Sequence, residues 1–137
     1  MRKITKALVA ILLIAVMSMT SVTAFAANEG VSPRLSHVEN GDFSFFVVDN
    51  VGYLEVAYYG YSSFARADLN VKVQKRSLLV FWNDVAEWNA SSTEIDGYFY
   101  REIALNGSGM YRATFTLTIT GNDGTTDVIQ ETIKSKF

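Results

Sequence analysis

Residues 107–121 alternate apolar and polar side chains with a period of two, and this pattern constrains the fold more than any other feature of the chain. The segment reads GSGMYRATFTLTITG, with arginine or threonine between successive apolar residues. Because neighbouring side chains of a β-strand point to opposite faces of a sheet, the alternation predicts a strand with one buried and one solvated face. The side chains predicted to face the core are Tyr111, Ala113, Phe115, Leu117 and Ile119.

The same period recurs along most of the chain after residue 41. Six further segments show it in whole or in part: DFSFFVVDN, YLEVAYYG, ADLNVKVQKR, SLLVFWNDV, YFYREIAL and VIQETIKSKF. Turn-forming residues separate them, and residues 86–97 are predicted to form a loop. About seven short antiparallel strands predict an all-β domain, folded as a single antiparallel β-sandwich with one core between two sheets.

The N-terminal residues 1–26 show the order of features found in secretory signal peptides. The cationic start MRKITK precedes the apolar run ALVAILLIAVMSM, and Ala24 and Ala26 form a small-x-small site before Ala27. This order predicts a signal peptide helix, cleaved near Ala26–Ala27, and a secreted, extracellular product. A retained signal anchor is the alternative, although the apolar run is shorter than the roughly 20 residues that a membrane-spanning helix needs.

Cleavage at this site changes the charge of the chain. The full sequence has 12 basic and 14 acidic residues, and loss of Arg2, Lys3 and Lys6 leaves 9 against 14, a net charge of −5. A negative surface repels nucleic acid and anionic lipid, so neither nucleic acid nor a membrane is an expected partner of the cleaved protein. The remaining chain is predicted to contain an extended lead-in, residues 27–41, and the sandwich domain, residues 42–137.

Cysteine is absent from the sequence. Small exported domains of eukaryotes commonly depend on disulfides, so this absence favours a bacterial secreted protein stabilised by packing alone.

The segment around Tyr111 resembles the entry to strand F of immunoglobulin-like domains. The shared spacing is L-x-G-x-G-x-Y-x-A, which here begins at Leu105 and ends at Ala113. In those domains the tyrosine hydrogen-bonds back to the upstream backbone, an arrangement called the tyrosine corner. The resemblance implies that Tyr111 is such a structural tyrosine and that Ala113 replaces a disulfide cysteine. Trp82 departs from the pattern, because it comes later in the sequence than the tryptophan of antibody domains.

Three segments taken together resemble small secreted immunoglobulin-like proteins of Gram-positive bacteria, a group without an established activity. They are VSPR, VKVQKRSLLVFW and SGMYRATFTLTITGNDG. This resemblance implies the fold and the compartment, and it implies no reaction, cofactor or partner.

Catalytic and metal-binding residue types are scarce. The single histidine, His37, lies in the polar lead-in and is predicted to be solvated, and there is no cysteine and no G-x-S-x-G motif. Nucleophilic catalysis and a transition-metal site are therefore not expected, and we predict neither an enzyme nor a cofactor.

Two sets of acidic residues leave glycoside cleavage and calcium binding open as alternative functions. Carboxylates that the fold brings together could cleave a glycoside, and the candidate pairs are Glu55 with Glu102 and Asp84 with Glu87. The hairpin at residues 122–127 offers oxygen ligands for calcium, although it lacks the EF-hand pattern.

Aromatic residues supply the strongest functional signal, since they make up 13% of the chain. The runs YYGYSSF and YFY put successive rings on opposite faces of a strand, so some rings must be exposed. Tyr59, Tyr61 and Trp88, the last within the predicted loop, are the candidate ligand-binding aromatics; filling of the core is the alternative role for such rings. We therefore predict a non-catalytic recognition or adhesion module that binds a protein at or near the bacterial surface, with a carbohydrate-binding module as the alternative.

Overall fold

Seven antiparallel strands form most of the described chain, which in the computed structural model comprises residues 34–137. The strands are β1 (Val38–Val48), β2 (Val51–Gly60), β3 (Phe64–Ser77), β4 (Phe81–Ser92), β5 (Asp96–Ala104), β6 (Met110–Gly121) and β7 (Thr126–Lys136). The predicted all-β class with about seven strands is confirmed. The predicted signal peptide and the lead-in up to residue 33 lie outside the described residues. Within residues 34–137, no helix is long and apolar enough to cross a membrane.

The strands form two sheets, ordered β1-β2-β5 and β4-β3-β6-β7, with antiparallel pairing throughout. This order is that of an immunoglobulin-like sandwich in which β1, β2 and β5 take the places of strands A, B and E. Strands β3, β6 and β7 take those of C, F and G, and β4 extends the second sheet beside β3. The predicted β-sandwich is therefore confirmed.

The core lies between the two sheets and is built from the inward positions of each strand. Strand β6 is buried at every second residue from Tyr111 to Gly121, as its alternation predicts. Strand β3 contributes Leu69, Val71 and Val73 from the same sheet, and β2 contributes Leu54, Val56 and Tyr58 from the opposite sheet. Full burial of one such side chain contributes about 1.5–3 kcal/mol, so these three strands supply much of the stability of the domain. Residues 35–137 contain this core in one compact unit.

Tyr111 links strand β6 to the loop that precedes it. Its ring is fully buried, and its hydroxyl lies 2.9 Å from the carbonyl oxygen of Asn106 and 2.7 Å from that of Gly107. Gly107 has a φ of 80°, a left-handed conformation that lets the loop turn its carbonyls back toward the ring. Lys75 covers the same ring, with its Nζ 5.4 Å from the centroid and 2.8 Å from the carbonyl oxygen of Asn106.

Two segments differ from the sequence prediction in the region of β4. Most of the predicted loop, residues 86–97, is strand, because β4 pairs with β3 up to Ser92. A bulge at Val85 restores an alternation that the local sequence hides, so Ala86, Trp88 and Ala90 face the core side. Conversely, residues 78–80, which were predicted as part of a strand, form the tip of the β3–β4 hairpin.

The prediction that His37 is a solvated loop residue is wrong. The residue is only 4% exposed, with Nδ1 2.8 Å from Ser63 Oγ and Nε2 2.7 Å from Thr125 Oγ1. The backbone amide of His37 donates to Asp127 Oδ2, and the imidazole occupies the space where a side chain at position 121 would lie, which explains Gly121. Polar partners from two distant turns satisfy the imidazole, and no local pattern reveals such partners.

We expect Tyr111→Phe in residues 34–137 to lower the free energy of unfolding by about 1–2 kcal/mol, because the hydrogen bonds from the phenol to the carbonyls of Asn106 and Gly107 are lost. Urea denaturation monitored by tryptophan fluorescence measures the change. Tyr61→Phe, at an exposed tyrosine, is the control and should shift stability by less than about 0.5 kcal/mol. Equal midpoints for the two variants would show that the hydroxyl does not stabilise the corner.

Candidate ligand-binding face

The outer face of the three-stranded sheet carries rings and carboxylates in a regular array. The antiparallel registers of β1, β2 and β5 align its outward side chains in five rows across the sheet, of which the last is aliphatic, Val48–Val51–Ala104. The other four rows are Asn40–Tyr59–Asp96, Asp42–Ala57–Tyr98, Ser44–Glu55–Tyr100 and Phe46–Tyr53–Glu102. Each of these four rows contains at least one ring and one carboxylate. We call this surface the aromatic–acidic face.

The aromatic–acidic face has no cationic side chain. Among residues 34–137, lysine and arginine lie on β3, β6 and β7, except for Arg34 and Arg101. Arg101 belongs to the inward positions of β5, where its guanidinium lies 5.8 Å from the Trp88 ring centroid. The four carboxylates of the face, Asp42, Glu55, Asp96 and Glu102, therefore give it a negative potential without neutralisation from the same surface.

The rings of this face are accessible to solvent and differ in their packing. Tyr98 is 62% exposed, and a depression of about 120 Å³ lies beside it where the small side chain of Ala57 leaves space. Phe46 and Tyr53 stack on each other at the far row, with centroids 4.9 Å apart and an interplanar angle of 14°. The face therefore offers flat ring surfaces, one of which adjoins a shallow pocket.

Nearby carboxylates act on two of the tyrosine hydroxyls and raise their pKa values. The Tyr100 hydroxyl donates to Glu102 Oε1 over 2.7 Å, and this bond, with partial desolvation and nearby negative charge, raises the pKa of Tyr100 to about 12. Partial desolvation and a hydrogen bond to Glu55 raise the pKa of Tyr98 as well. Both phenols therefore stay protonated at neutral pH, and the carboxylates keep free lone pairs that can accept hydrogen bonds from a ligand.

The three aromatic residues predicted from the sequence do not come together. Tyr59 lies on the aromatic–acidic face, whereas Tyr61 is exposed in the turn that follows β2. Trp88 lies on β4 at the border of the core, edge-on to Phe99 with centroids 6.3 Å apart. Its predicted loop position is wrong, because the bulge at Val85 turns Trp88 inward.

The candidates selected from the sequence did not include four rings of this face, Phe46, Tyr53, Tyr98 and Tyr100, although the YFY run had indicated that some of its rings are exposed. Each of them alternates with a buried residue of its own strand, and that signal was present in the sequence. Their assembly into rows depends on the pairing of β2 with β1 and β5, which the sequence alone does not specify.

The candidate carboxylate pairs occupy open surfaces. Glu55 and Glu102 lie in neighbouring rows of the aromatic–acidic face, where Glu55 is opposite Tyr100 and Glu102 is opposite Tyr53. Asp84 and Glu87 lie on the other sheet, where they accept hydrogen bonds from the side-chain amides of Gln74 and Asn70. A depression of about 340 Å³ lies beside Arg66, which forms an ion pair with Asp68 and a hydrogen bond with Ser91.

Ser63, His37 and Asp123 meet at the end of the sandwich that contains the N-terminus of β1. His37 Nε2 lies 3.5 Å from Asp123 Oδ1, but Ser63 Oγ also donates to the carbonyl oxygen of Ser36, and the imidazole is buried. This cluster joins three chain segments and leaves no open position beside the imidazole for a reacting group.

The acidic residues of the hairpin considered for calcium accept hydrogen bonds from neighbouring groups of the protein. Asp127 accepts from the backbone amides of Ser36 and His37, whereas Asp123 accepts from Thr125. Within residues 34–137, no group of three His, Asp or Glu side chains is arranged to hold a metal ion.

No family model and no curated protein matches this sequence. Among solved structures, the chain is similar to OgpA from Akkermansia muciniphila, as wild type in two crystal forms and as a catalytically inactive form in complex with an O-glycopeptide (glycodrosocin) substrate. Each match has 18% identity and a TM-score of 0.47 and covers 77% of this chain. The chain spans only 28–30% of the OgpA chains.

These matches correct the prediction that the protein is not an enzyme. OgpA has a substrate and a catalytically inactive form, so a region similar to this chain occurs within a catalytic protein. The sequence criteria did not justify the exclusion of all enzymes, because a missing nucleophile motif and missing metal ligands rule out only those two kinds of active site. At this identity and TM-score, the likeness assigns no activity to the present chain.

We expect Glu102→Gln to lower the pKa of Tyr100 from about 12 toward the ordinary value of 10, because Glu102 is its main cause. In the unchanged protein the hydrogen bond stabilises the fold fully below about pH 10, and this contribution is lost as the pH rises through about 12. Near-ultraviolet titration of tyrosinate measures the shift, with Tyr100→Phe as the control that removes the late step. An unchanged titration curve for Glu102→Gln would contradict the assignment.

Proposed function

We propose that this protein is a carbohydrate-recognition module that binds its ligand on the aromatic–acidic face. The observation that carries the proposal is the repetition of a ring beside a carboxylate in four of the five rows of one open sheet. A flat sheet of this kind suits an extended ligand that lies across several rows.

The residue types of the face match the two kinds of surface on a sugar. The apolar C–H faces of a pyranose pack against exposed rings, which lose little conformational entropy because tyrosine has few rotatable bonds. Sugar hydroxyls donate to carboxylates, and such charge-assisted hydrogen bonds are stronger than neutral ones. A face without lysine or arginine repels anionic sugars, so the preferred ligand is a neutral glycan.

A protein partner is the second candidate, and the unpaired carboxylates of the face favour it. A partner that presents lysine or arginine could place the cation over Tyr98 or Tyr100 while it pairs with Glu55 or Glu102. This partner would use the same surface, but its binding would weaken with added salt, unlike the binding of a neutral sugar.

Both candidates take the protein to be secreted, in keeping with the order of charged, apolar and small residues within residues 1–26. A glycan or a surface protein outside the cell would then be the accessible ligand.

We expect residues 34–137 to be retained on one or more insoluble glycans, with mucin and Gram-positive cell walls included among the matrices. Tyr98→Ala and Tyr100→Ala should each weaken retention roughly two- to tenfold, since each removes one stacking surface. Tyr61→Ala is the matched control, because it removes an exposed tyrosine outside the four rows, and it should leave retention unchanged. Circular dichroism confirms that the variants are folded.

The salt dependence of binding distinguishes the two candidates. Retention that is indifferent to salt and is lost with Tyr98 supports the glycan. Binding to basic peptides that falls with salt, without retention on any glycan, would replace the carbohydrate proposal with the protein one. Equal retention of Tyr98→Ala, Tyr100→Ala and Tyr61→Ala would remove the aromatic–acidic face from consideration.

A further inference from the structure

The tip of the β3–β4 hairpin exposes four consecutive apolar side chains. Leu78 is 83% exposed, Leu79 80%, Val80 69% and Phe81 59%. Single exposed apolar residues are common on proteins, but an uninterrupted run of this length at a protruding turn is disfavoured unless it contacts something. We call residues 78–81 the apolar tip.

The backbone conformation of the apolar tip is one that disfavours leucine. Leu78 and Leu79 have φ values of 49° and 69°, in the left-handed region that bulky residues avoid. The β1–β2 hairpin places Asp49 and Asn50 in nearly the same conformation, with φ values of 49° and 63°. Those are residue types that suit it. The two leucines therefore cost conformational energy at positions where polar residues fit better, which indicates selection for their apolar side chains.

Cationic side chains surround the base of this hairpin on the outer face of the four-stranded sheet. Arg76 pairs with Trp82 one step below the turn, Arg112 pairs with Lys134, and Lys136 pairs with Met110 at the end of the sheet. Among the described residues, none of these four cations lies within ion-pair distance of a carboxylate. We call Arg76, Arg112, Lys134 and Lys136 the basic collar.

Trp82 lies inside the basic collar. Its ring centroid is 4.3 Å from the Arg112 guanidinium carbon and 5.9 Å from Lys134 Nζ. The nearest carboxylate on the same face, Asp84, already accepts from Gln74 and lies 3.8 Å from Lys72. The hairpin end of this sheet is therefore locally positive, although the chain as a whole is acidic.

We infer that the apolar tip inserts into an anionic lipid bilayer while the basic collar contacts the lipid phosphates. A narrow convex tip can enter the acyl region side by side with lipid chains, and amphipathic tryptophan is favoured at the level of the head groups. Lysine and arginine near an anionic bilayer each contribute attraction that decays within a Debye length. The inference does not depend on the proposed glycan site, which lies on the other sheet.

This inference revises the expectation that the protein avoids membranes. That expectation used only the net charge, which averages the acidic three-stranded face with the basic collar. Attraction to a surface depends on the charge that lies near it, and the collar and the apolar tip lie at the same end of the four-stranded sheet.

Co-sedimentation with vesicles tests the inference, using residues 34–137 so that the apolar N-terminal segment does not itself bind lipid. We expect binding to vesicles of phosphatidylcholine mixed with phosphatidylglycerol and much weaker binding to phosphatidylcholine alone. Replacing both leucines, Leu78→Asn with Leu79→Gly, should weaken binding about tenfold or more, since two apolar side chains that the bilayer would bury are lost. The same variant should keep its thermal midpoint, because asparagine and glycine suit the left-handed turn.

Charge and position are tested by two further variants. Arg76→Gln with Lys136→Gln should weaken binding to the anionic vesicles about fivefold for each cation removed, and added salt should have a similar effect. Ile95→Ser removes an exposed aliphatic side chain at the opposite end of the sandwich and should leave binding unchanged. Two results would overturn the inference: the intact domain binds neither kind of vesicle, or the leucine variant binds as well as the intact domain. In the first case a protein partner, and not a bilayer, would be the occupant to test at the apolar tip.

Discussion

Burial of the inner face of β6 is the interaction on which the rest of the structure depends. Strand β6 lies between β3 and β7, and its five inward side chains are fully buried, with Phe115 at their centre. A shift of one residue in its register would move all of them to solvent and bring threonines inward, so the pairing is strongly specified. Tyr111 fixes where the strand begins, and packing together with this corner does the work for which related sandwiches use a disulfide.

Because the core occupies only the inner faces, the two outer faces are free to diverge. The three-stranded sheet presents rings and carboxylates without cations, whereas the four-stranded sheet presents threonines, amides and, at its hairpin end, the basic collar. The strand registers that align the core residues also align these outer side chains into rows. The aromatic–acidic face is thus a direct consequence of the same pairing that builds the core.

The sequence predicted those elements whose signal is local. Strict alternation placed the inward residues of β6 correctly, and the all-β class followed from repetition of that pattern. Strand β4 was partly missed because a bulge at Val85 breaks its alternation, and Trp88 was consequently assigned to a loop. His37 was misjudged because its partners, Ser63 and Thr125, come from remote turns, and the rings of the aromatic–acidic face were not grouped because rows require strand order.

The turns of the β1–β2 and β3–β4 hairpins can be compared directly, because they have similar backbone conformations but different residue types. Two hairpins of this domain place consecutive residues in the left-handed region, and only one of them uses the polar residues that this conformation favours. Natural sequences agree with local preference at most positions and depart from it mainly where function requires a particular side chain. The backbone conformation of Leu78 and Leu79 therefore indicates a functional hairpin tip more clearly than their exposure alone does. A single exposed leucine is common, whereas a pair that is both exposed and in a strained conformation is not.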